Sequence, residues 1–258
     1  MKPLGEMISG LHSDNFEGAI FQWLKCFLNI DNLTILAYLG DGPPRILHKD
    51  ATMPQVHEDI ETVYVLGAYL LDPFYALHVD RSPSGLYVMR DVAPDQFKRN
   101  EYYTAYYQRT TVVDELVYVA YPSADVSVHI CLGRDATSAR RFSIREIDLA
   151  KQLAPVLCAL SKQHWTSLRI ANEKGEIILS EALRERLKME LCIALSKRQA
   201  EVALLILRGH SSVSISLRLE ISEQTVKVFR KQLYRKCGIS SQAELFSMMM
   251  PLLSRIVT

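Results

Sequence analysis

Apolar residues recur at helical spacing between Asn15 and Leu28, where Phe16, Ala19, Ile20, Trp23, Leu24 and Phe27 make one stripe behind a cap at Asp14 or Asn15. The pattern then changes period. Asn32 to Leu39 is rich in β-favouring residues and runs into Gly40, Asp41, Gly42 and two prolines, which predicts a strand turning back through Arg45 to His48 as a hairpin. Met53 to Leu71 reads as helical and stops near Asp72-Pro73, because proline disfavours helical geometry at the residue before it. Gly85 to Val92 reads as extended, and Pro94 opens a tyrosine-rich helix from Asp95 to Arg109. Asp114 to Tyr121 and Val126 to Gly133 alternate around a Pro-Ser-Ala-Asp turn, which predicts two central antiparallel strands. A long helix from Ser143 to about Leu168 follows, with Ser143 and Glu146 at capping-box spacing and a kink expected at Pro155.

Beyond Leu191 the pattern is helical throughout. The spacing predicts helices over Lys197 to Arg208, ended by Gly209; Ser212 to Leu219; Ser222 to Cys237, ended by Gly238; and from Ser241 onward. Glu220 and Ile221 alone separate the second and third, the short turn a helix-turn-helix needs. In the third helix Val226, Phe229, Leu233 and Cys237 share a packing face, whereas Gln224, Lys227, Lys231 and Arg235 lie elsewhere. The expected organisation is an α+β domain with a small antiparallel sheet over 1–170, a helical linker over 171–191, and an all-α four-helix domain over 192–258.

Charge sharpens this division. From Ser196 onward ten basic side chains face four acidic ones, while the whole chain carries a net charge of only +1. A basic carboxyl-terminal module on a mildly acidic body is the distribution expected when one domain meets nucleic acid. The five cysteines are scattered without a C-x-x-C pair and read as reduced packing residues, and the seven histidines show no metal-ligand spacing. No P-loop, dinucleotide fingerprint or nucleophile elbow occurs, so no enzyme, cofactor or metal is expected. No membrane-length apolar run or secretory signal is seen, and a cytoplasmic location is expected.

The run of Leu195, Ser196, Arg198, Glu201, Val202, Leu205, Gly209, Ser211, Ile215, Leu219, Ile221, Ser222, Thr225, Val226, Lys227, Lys236, Gly238 and Ala243-Glu244 resembles, in order and without a gap, the carboxyl-terminal domain of LuxR-type transcription regulators. The resemblance implies a bacterial, dimeric, non-enzymatic regulator that binds double-stranded operator DNA. It implies base-edge contacts from Lys227, Val228 and Lys231, phosphate contacts from Thr225 and neighbouring basic residues, and support of dimerisation by the helix from Ser241. Gln224, Thr225, Lys227, Val228, Arg230, Lys231 and Arg235 are thus the candidate DNA-binding residues. The chain departs from the family pattern at Gln199, Ser214, Ser216 and Phe229, where Glu, Glu, Ala and His are usual.

The first domain lacks the acidic constellation of a phospho-receiver, and its tryptophans, Trp23 and Trp165, lie near its two ends rather than in the mid-domain cluster of an acyl-homoserine-lactone receptor. Its element order suits a GAF-like or PAS-like sensor. The stretches DPFY from Asp72, RDVAPDQF from Arg90, EYYTAYY from Glu101 and DELVY from Asp114 resemble LuxR-type proteins with a GAF-like first module. Tyr75, Tyr102, Tyr103, Tyr106, Asp114 and Glu115 are the candidate walls of a small-molecule effector pocket, since tyrosines offer apolar faces with polar tips and carboxylates orient cationic or hydroxylated ligands. The alternative is a first domain that docks a protein partner or serves only dimerisation.

Overall fold

In the computed structural model, which describes residues 2–40, 42–65, 67–168, 174–207 and 210–253, five strands form one antiparallel sheet: β1 (Asn32–Leu39), β2 (Arg45–Ala51), β3 (Gly85–Val88), β4 (Asp114–Ser123) and β5 (Val126–Arg134), in the order β2-β1-β5-β4-β3. The helices beside them are α1 (Lys2–Ser9), α2 (Phe16–Lys25), α3 (Pro73–Val79), α4 (Met89–Val92), α5 (Glu101–Ala105) and α6 (Ile144–His164). This is the α+β architecture with an antiparallel sheet that the hydrophobic pattern predicts.

Alternation along each strand assigns the two faces. Leu33, Ile35 and Ala37 of β1, Leu116 and Tyr118 of β4, and Val128, Ile130 and Leu132 of β5 join Phe16, Ile20, Trp23, Leu24, Ile147, Ala150, Leu157 and Trp165 from α2, α6 and the segment after it in one buried core. Ser143 and Glu146 form the expected capping box, and α6 continues across Pro155. Where three elements converge, Arg134 is fully buried: its Nε donates to the Asn29 carbonyl at 2.8 Å, one terminal nitrogen donates to the Arg141 carbonyl at 2.8 Å, the other bonds Glu146, and its guanidinium lies 4.3 Å from the Phe142 ring centre.

Two expected helices are broken. Met53 to Leu71 contains a 3-10 turn at Pro54–Val56, a π turn at Ile60–Tyr64 and a 3-10 turn at Ala68–Leu71. Asp95 to Arg109 divides into a 3-10 turn at Phe97–Arg99, α5, and a 3-10 turn at Tyr107–Thr110, because Asn100 is extended and its side chain accepts from the Tyr103 amide at 2.8 Å, starting a new helix there. The expected strand after Gly85 is also shorter, ending at Val88 where α4 begins.

By contact, the chain forms two units, 1–65 with 72–170 and 66–71 with 171–258. The second contains α7 (Lys174–Leu191), α8 (Lys197–Leu207), α9 (Ser212–Leu219), α10 (Glu223–Cys237) and α11 (Gln242–Leu253). Leu183, Leu187, Val202, Leu205, Ile215, Val226, Leu233, Leu245, Phe246 and Met249 are buried in its core. The stop expected at Gly209 lies outside the described residues.

Candidate DNA-binding face and sensor cavity

α9 and α10 are joined as the sequence predicts. Ser211 caps α9 by accepting from the Ser214 amide at 3.2 Å, and Ser222 caps α10 by accepting from the Thr225 amide at 3.0 Å. Glu220 takes the left-handed conformation at φ 52°, which turns the chain sharply between them, and Gly238, at φ 67°, ends α10. Val226, Leu233 and Cys237 are buried on one side of α10, while Gln224, Lys227, Val228, Lys231 and Arg235 are exposed on the others. Val228 is 44% exposed, high for an aliphatic side chain on a helix with a buried face. Lys227 Nζ lies 2.8 Å from Glu223, a surface pair that phosphate or a base edge can displace at little cost. Thr225 and Arg230 are half-buried: Thr225 Oγ1 bonds Ser222 Oγ at 2.7 Å, and Arg230 Nε donates to the Tyr234 hydroxyl at 3.2 Å. Gln199 shows what its departure from the usual Glu does: its Oε1 accepts from the Ser196 amide at 3.0 Å and Lys236 Nζ at 2.9 Å, and its Nε2 donates to Gln232 at 2.9 Å. The amide thus serves both as acceptor for a cation and as donor to a neighbouring amide.

In the first unit, the sheet face opposite the α2–α6 core is polar. Asn32, Thr34, Leu36, Cys131 and Glu115 come from alternate positions of β1, β5 and β4, and they line a cavity of about 50 Å³ with Val56, Ile60, Tyr64, Asp72, Tyr102, Tyr106 and Tyr107 among the residues of the covering segments. Glu115, Gly133 and Asn32 stand in one row across three strands. A Cβ on Gly133 would fall 2.0 Å from Asn32 Oδ1, so glycine is required for the Asn32 side chain to cross this row, where its Nδ2 donates to Asp135 at 2.8 Å.

A hydrogen-bonded chain runs along the wall. The Tyr38 and Tyr64 hydroxyls are 2.6 Å apart, and Tyr64 donates to Asp72 at 2.5 Å. Asp72 also caps α3 by accepting from the Phe74 amide at 2.8 Å and accepts from Tyr102. Burial pushes its carboxyl up to about 6, against the lowering effect of those three donors. Glu115 is raised well above the carboxylate range by burial first and by Asp72 and Asp114 next, and among the described residues it has no hydrogen bond or ion pair. His129, on the same sheet face with Tyr38 edge-on at 4.6 Å, is held well below its ordinary value by burial and stays neutral.

Three of the six pocket residues expected from the sequence, Tyr102, Tyr106 and Glu115, meet in this cavity. The other three lie elsewhere. Tyr75 packs in the interior against Tyr38 and His78, and Tyr103 borders a broad open groove beside Phe97. Asp114 points to the core side, where it accepts from the Phe142 amide at 2.9 Å. Strand alternation separates the two neighbouring acids, a distinction available from Leu116 and Tyr118 sharing the parity of Asp114. The sequence reading missed Asn32, Thr34, Tyr64, Asp72, Tyr107 and Cys131; the first two were accessible from the alternation of β1, the others depend on irregular segments and cross-strand register.

A capped helix-turn-helix with a cationic exposed face defines a DNA-binding module, and the other unit is a sheet domain enclosing a polar cavity. Residues 194–249 match the luxR family of bacterial regulatory proteins. A protein of Aeromonas salmonicida described as an HTH-type transcriptional regulator in the exeN 3' region is 26% identical over 184 residues, covering 69% of this chain and 92% of its own. The response regulator protein TodT of Pseudomonas putida is 44% identical over 52 residues, 20% of this chain and 23% of its own. The first unit is similar to the LBD domain of VqsR from Pseudomonas aeruginosa, at 28% identity and a TM-score of 0.54 over 63% of this chain and 94% of that one. Residues 194–249 of the helical unit thus carry a luxR-family helix-turn-helix region, and the first unit resembles the VqsR LBD domain in sequence and fold. No helix among the described residues is long and apolar enough to cross a membrane.

Proposed function

We propose that this chain works in the cytoplasm as a homodimer that binds operator DNA through α10, with a small molecule in the sensor cavity setting the condition for binding. The observation that carries the DNA reading is the exposed row of Gln224, Lys227, Val228 and Lys231 on a helix whose opposite side is locked into a core. In this reading Lys227, Val228 and Lys231 reach base edges, while Thr225, Arg230 and Arg235 hold phosphates and give the salt dependence. The domain that senses spans 1–170, the helical linker 171–191 and the reading domain 192–258. Control requires that the effector bind the DNA-competent arrangement with a different affinity from the other.

The test is a mobility shift with the full chain on DNA fragments enriched from random sequence. Lys227→Ala loses at least about ten-fold in affinity, as expected when a contact that discriminates by about 1–3 kcal/mol is removed, and its melting temperature is unchanged. Wild-type affinity in that variant would refute the role given to α10.

A further inference from the structure

The sensor cavity has an unbalanced charge. Its lining contains two carboxylates, Asp72 and Glu115, and no lysine, arginine or histidine. The two differ in their partners. Asp72 has three donors, from Tyr64, Tyr102 and the Phe74 amide, so its anion is partly neutralised. Glu115 has no hydrogen-bond or ion-pair partner among the described residues, although it sits on β4 and borders the cavity directly. The residue is half-buried, and a carboxyl taken partly out of water with no cation beside it is a complement for positive charge. Around the carboxyls stand tyrosine rings: Tyr64 and Tyr106 are 5.1 Å apart between centres, and Tyr102 and Tyr106 are 5.8 Å apart. Aromatic faces beside anionic oxygens attract ammonium groups, whose charge they stabilise without demanding full hydration.

We propose that the cavity takes a small organic cation, a primary ammonium compound whose nitrogen sits between Glu115 and Asp72 and whose carbon atoms lie against Tyr102 and Tyr106. The proposal rests on reading this cavity as the signal site and names the chemistry of the signal. Size limits the ligand, since a cavity of about 50 Å³ accommodates a few heavy atoms rather than a long acyl chain. A divalent metal ion is a poorer match. Calcium and magnesium need about six oxygen ligands, and among the described residues no group of three or more His, Cys, Asp or Glu is placed to hold a metal ion.

Binding would also move a proton. The groups that act on Glu115 are Asp72 at the start of α3, Cys131 on β5, Tyr102, Tyr106 and Tyr107 from the covering segment and, from the other face of its own strand, Asp114; none is cationic. Burial and the neighbouring acids thus raise the Glu115 carboxyl in the free protein. An arriving ammonium group lowers it again, and the protonated fraction of Glu115 releases its proton to the buffer.

Calorimetry of the full chain with n-propylammonium chloride, in phosphate and in MOPS, neither of which is a primary amine, at the same neutral pH, tests this. The expected result is saturable binding, a heat that differs between the two buffers as proton release requires, and no comparable binding of neutral 1-propanol. Glu115→Gln weakens binding at least about ten-fold and removes the buffer dependence, and Asp72→Asn, which keeps a capping oxygen, weakens it independently; circular dichroism verifies that each variant is folded. Absence of n-propylammonium binding, equal binding of 1-propanol, or unchanged affinity in folded Glu115→Gln would each overturn the proposal. Running the DNA mobility shift with both compounds separates the two levels: a DNA affinity that responds to 1-propanol but not to the amine retains the cavity as signal site while removing the cation.

Discussion

Gln199 in the helical unit and Glu115 in the sheet unit are both inward-facing polar side chains, and the difference between them is informative. Gln199 is bonded through both its oxygen and its nitrogen, linking the start of α8 to the far end of α10. Glu115 has no bond among the described residues and lies within the influence of two other acids. In the helical unit the interior is devoted to holding a shape, and the chemistry of DNA reading is placed outside, on exposed Lys227, Val228 and Lys231. In the sheet unit the interior itself holds chemistry that the fold does not need. Local inconsistency of this kind, where a side chain opposes stability, is the mark expected of a functional site.

That contrast can be broken first at the support of the sheet unit. Arg134→Met leaves Glu146 and the Asn29 and Arg141 carbonyls without their buried donor, and it should destabilise the first unit by about 3 kcal/mol. Urea unfolding followed by tryptophan fluorescence reads this directly, because Trp23 and Trp165 both belong to that unit's core. Equal loss of the helical content of the second unit would show that the two are not separate in stability.

A somewhat smaller effect is expected at Asp72, and it carries a pH signature. Its native carboxyl is raised from 3.8 to about 6, so the folded state holds its proton over a range in which the unfolded state has lost it. Stability from this group is fullest below about pH 4 and falls as pH rises through about 6. Asp72→Asn removes that slope. It should stabilise the protein at neutral pH by less than the roughly 3 kcal/mol to which the shift alone converts, because Asn accepts through one oxygen where Asp72 uses two, and the gain should vanish near pH 4, as measured by urea midpoints across that range. A gain independent of pH would assign the effect to packing instead.

The two regions also differed in how far their sequences could be read. The helix-turn-helix was legible because its structure is local: Ser222 caps, Gly238 ends α10, and the spacing of Val226 and Leu233 sets the buried side, all within about four turns of helix. The sheet was legible at the level of strands, since alternation in Asn32 to Leu39 and in DELVYVAY marks two faces. The cavity was only half legible. Tyr64 and Asp72 reach it through a π turn and a helix cap, and Gly133 through cross-strand register, none of which a periodic pattern encodes. The broken helix at Asn100 was signalled by a good capping residue, but the apolar and aromatic run on either side favoured a continuous helix. Asp114 and Glu115, adjacent in sequence, have opposite roles for the single reason that a strand has period two.

The unpartnered carboxyl is the centre of this account, and the stability of Glu115→Gln near neutral pH, without any ligand, tests it most directly. Gln keeps the shape and removes a group whose ionisation the fold opposes. Glu115→Gln should show a higher unfolding midpoint than wild type, with the advantage shrinking as pH is lowered and the wild-type unfolded chain regains its proton. A lower midpoint would contradict it, because it would mean that the Glu115 carboxylate is already compensated within the fold.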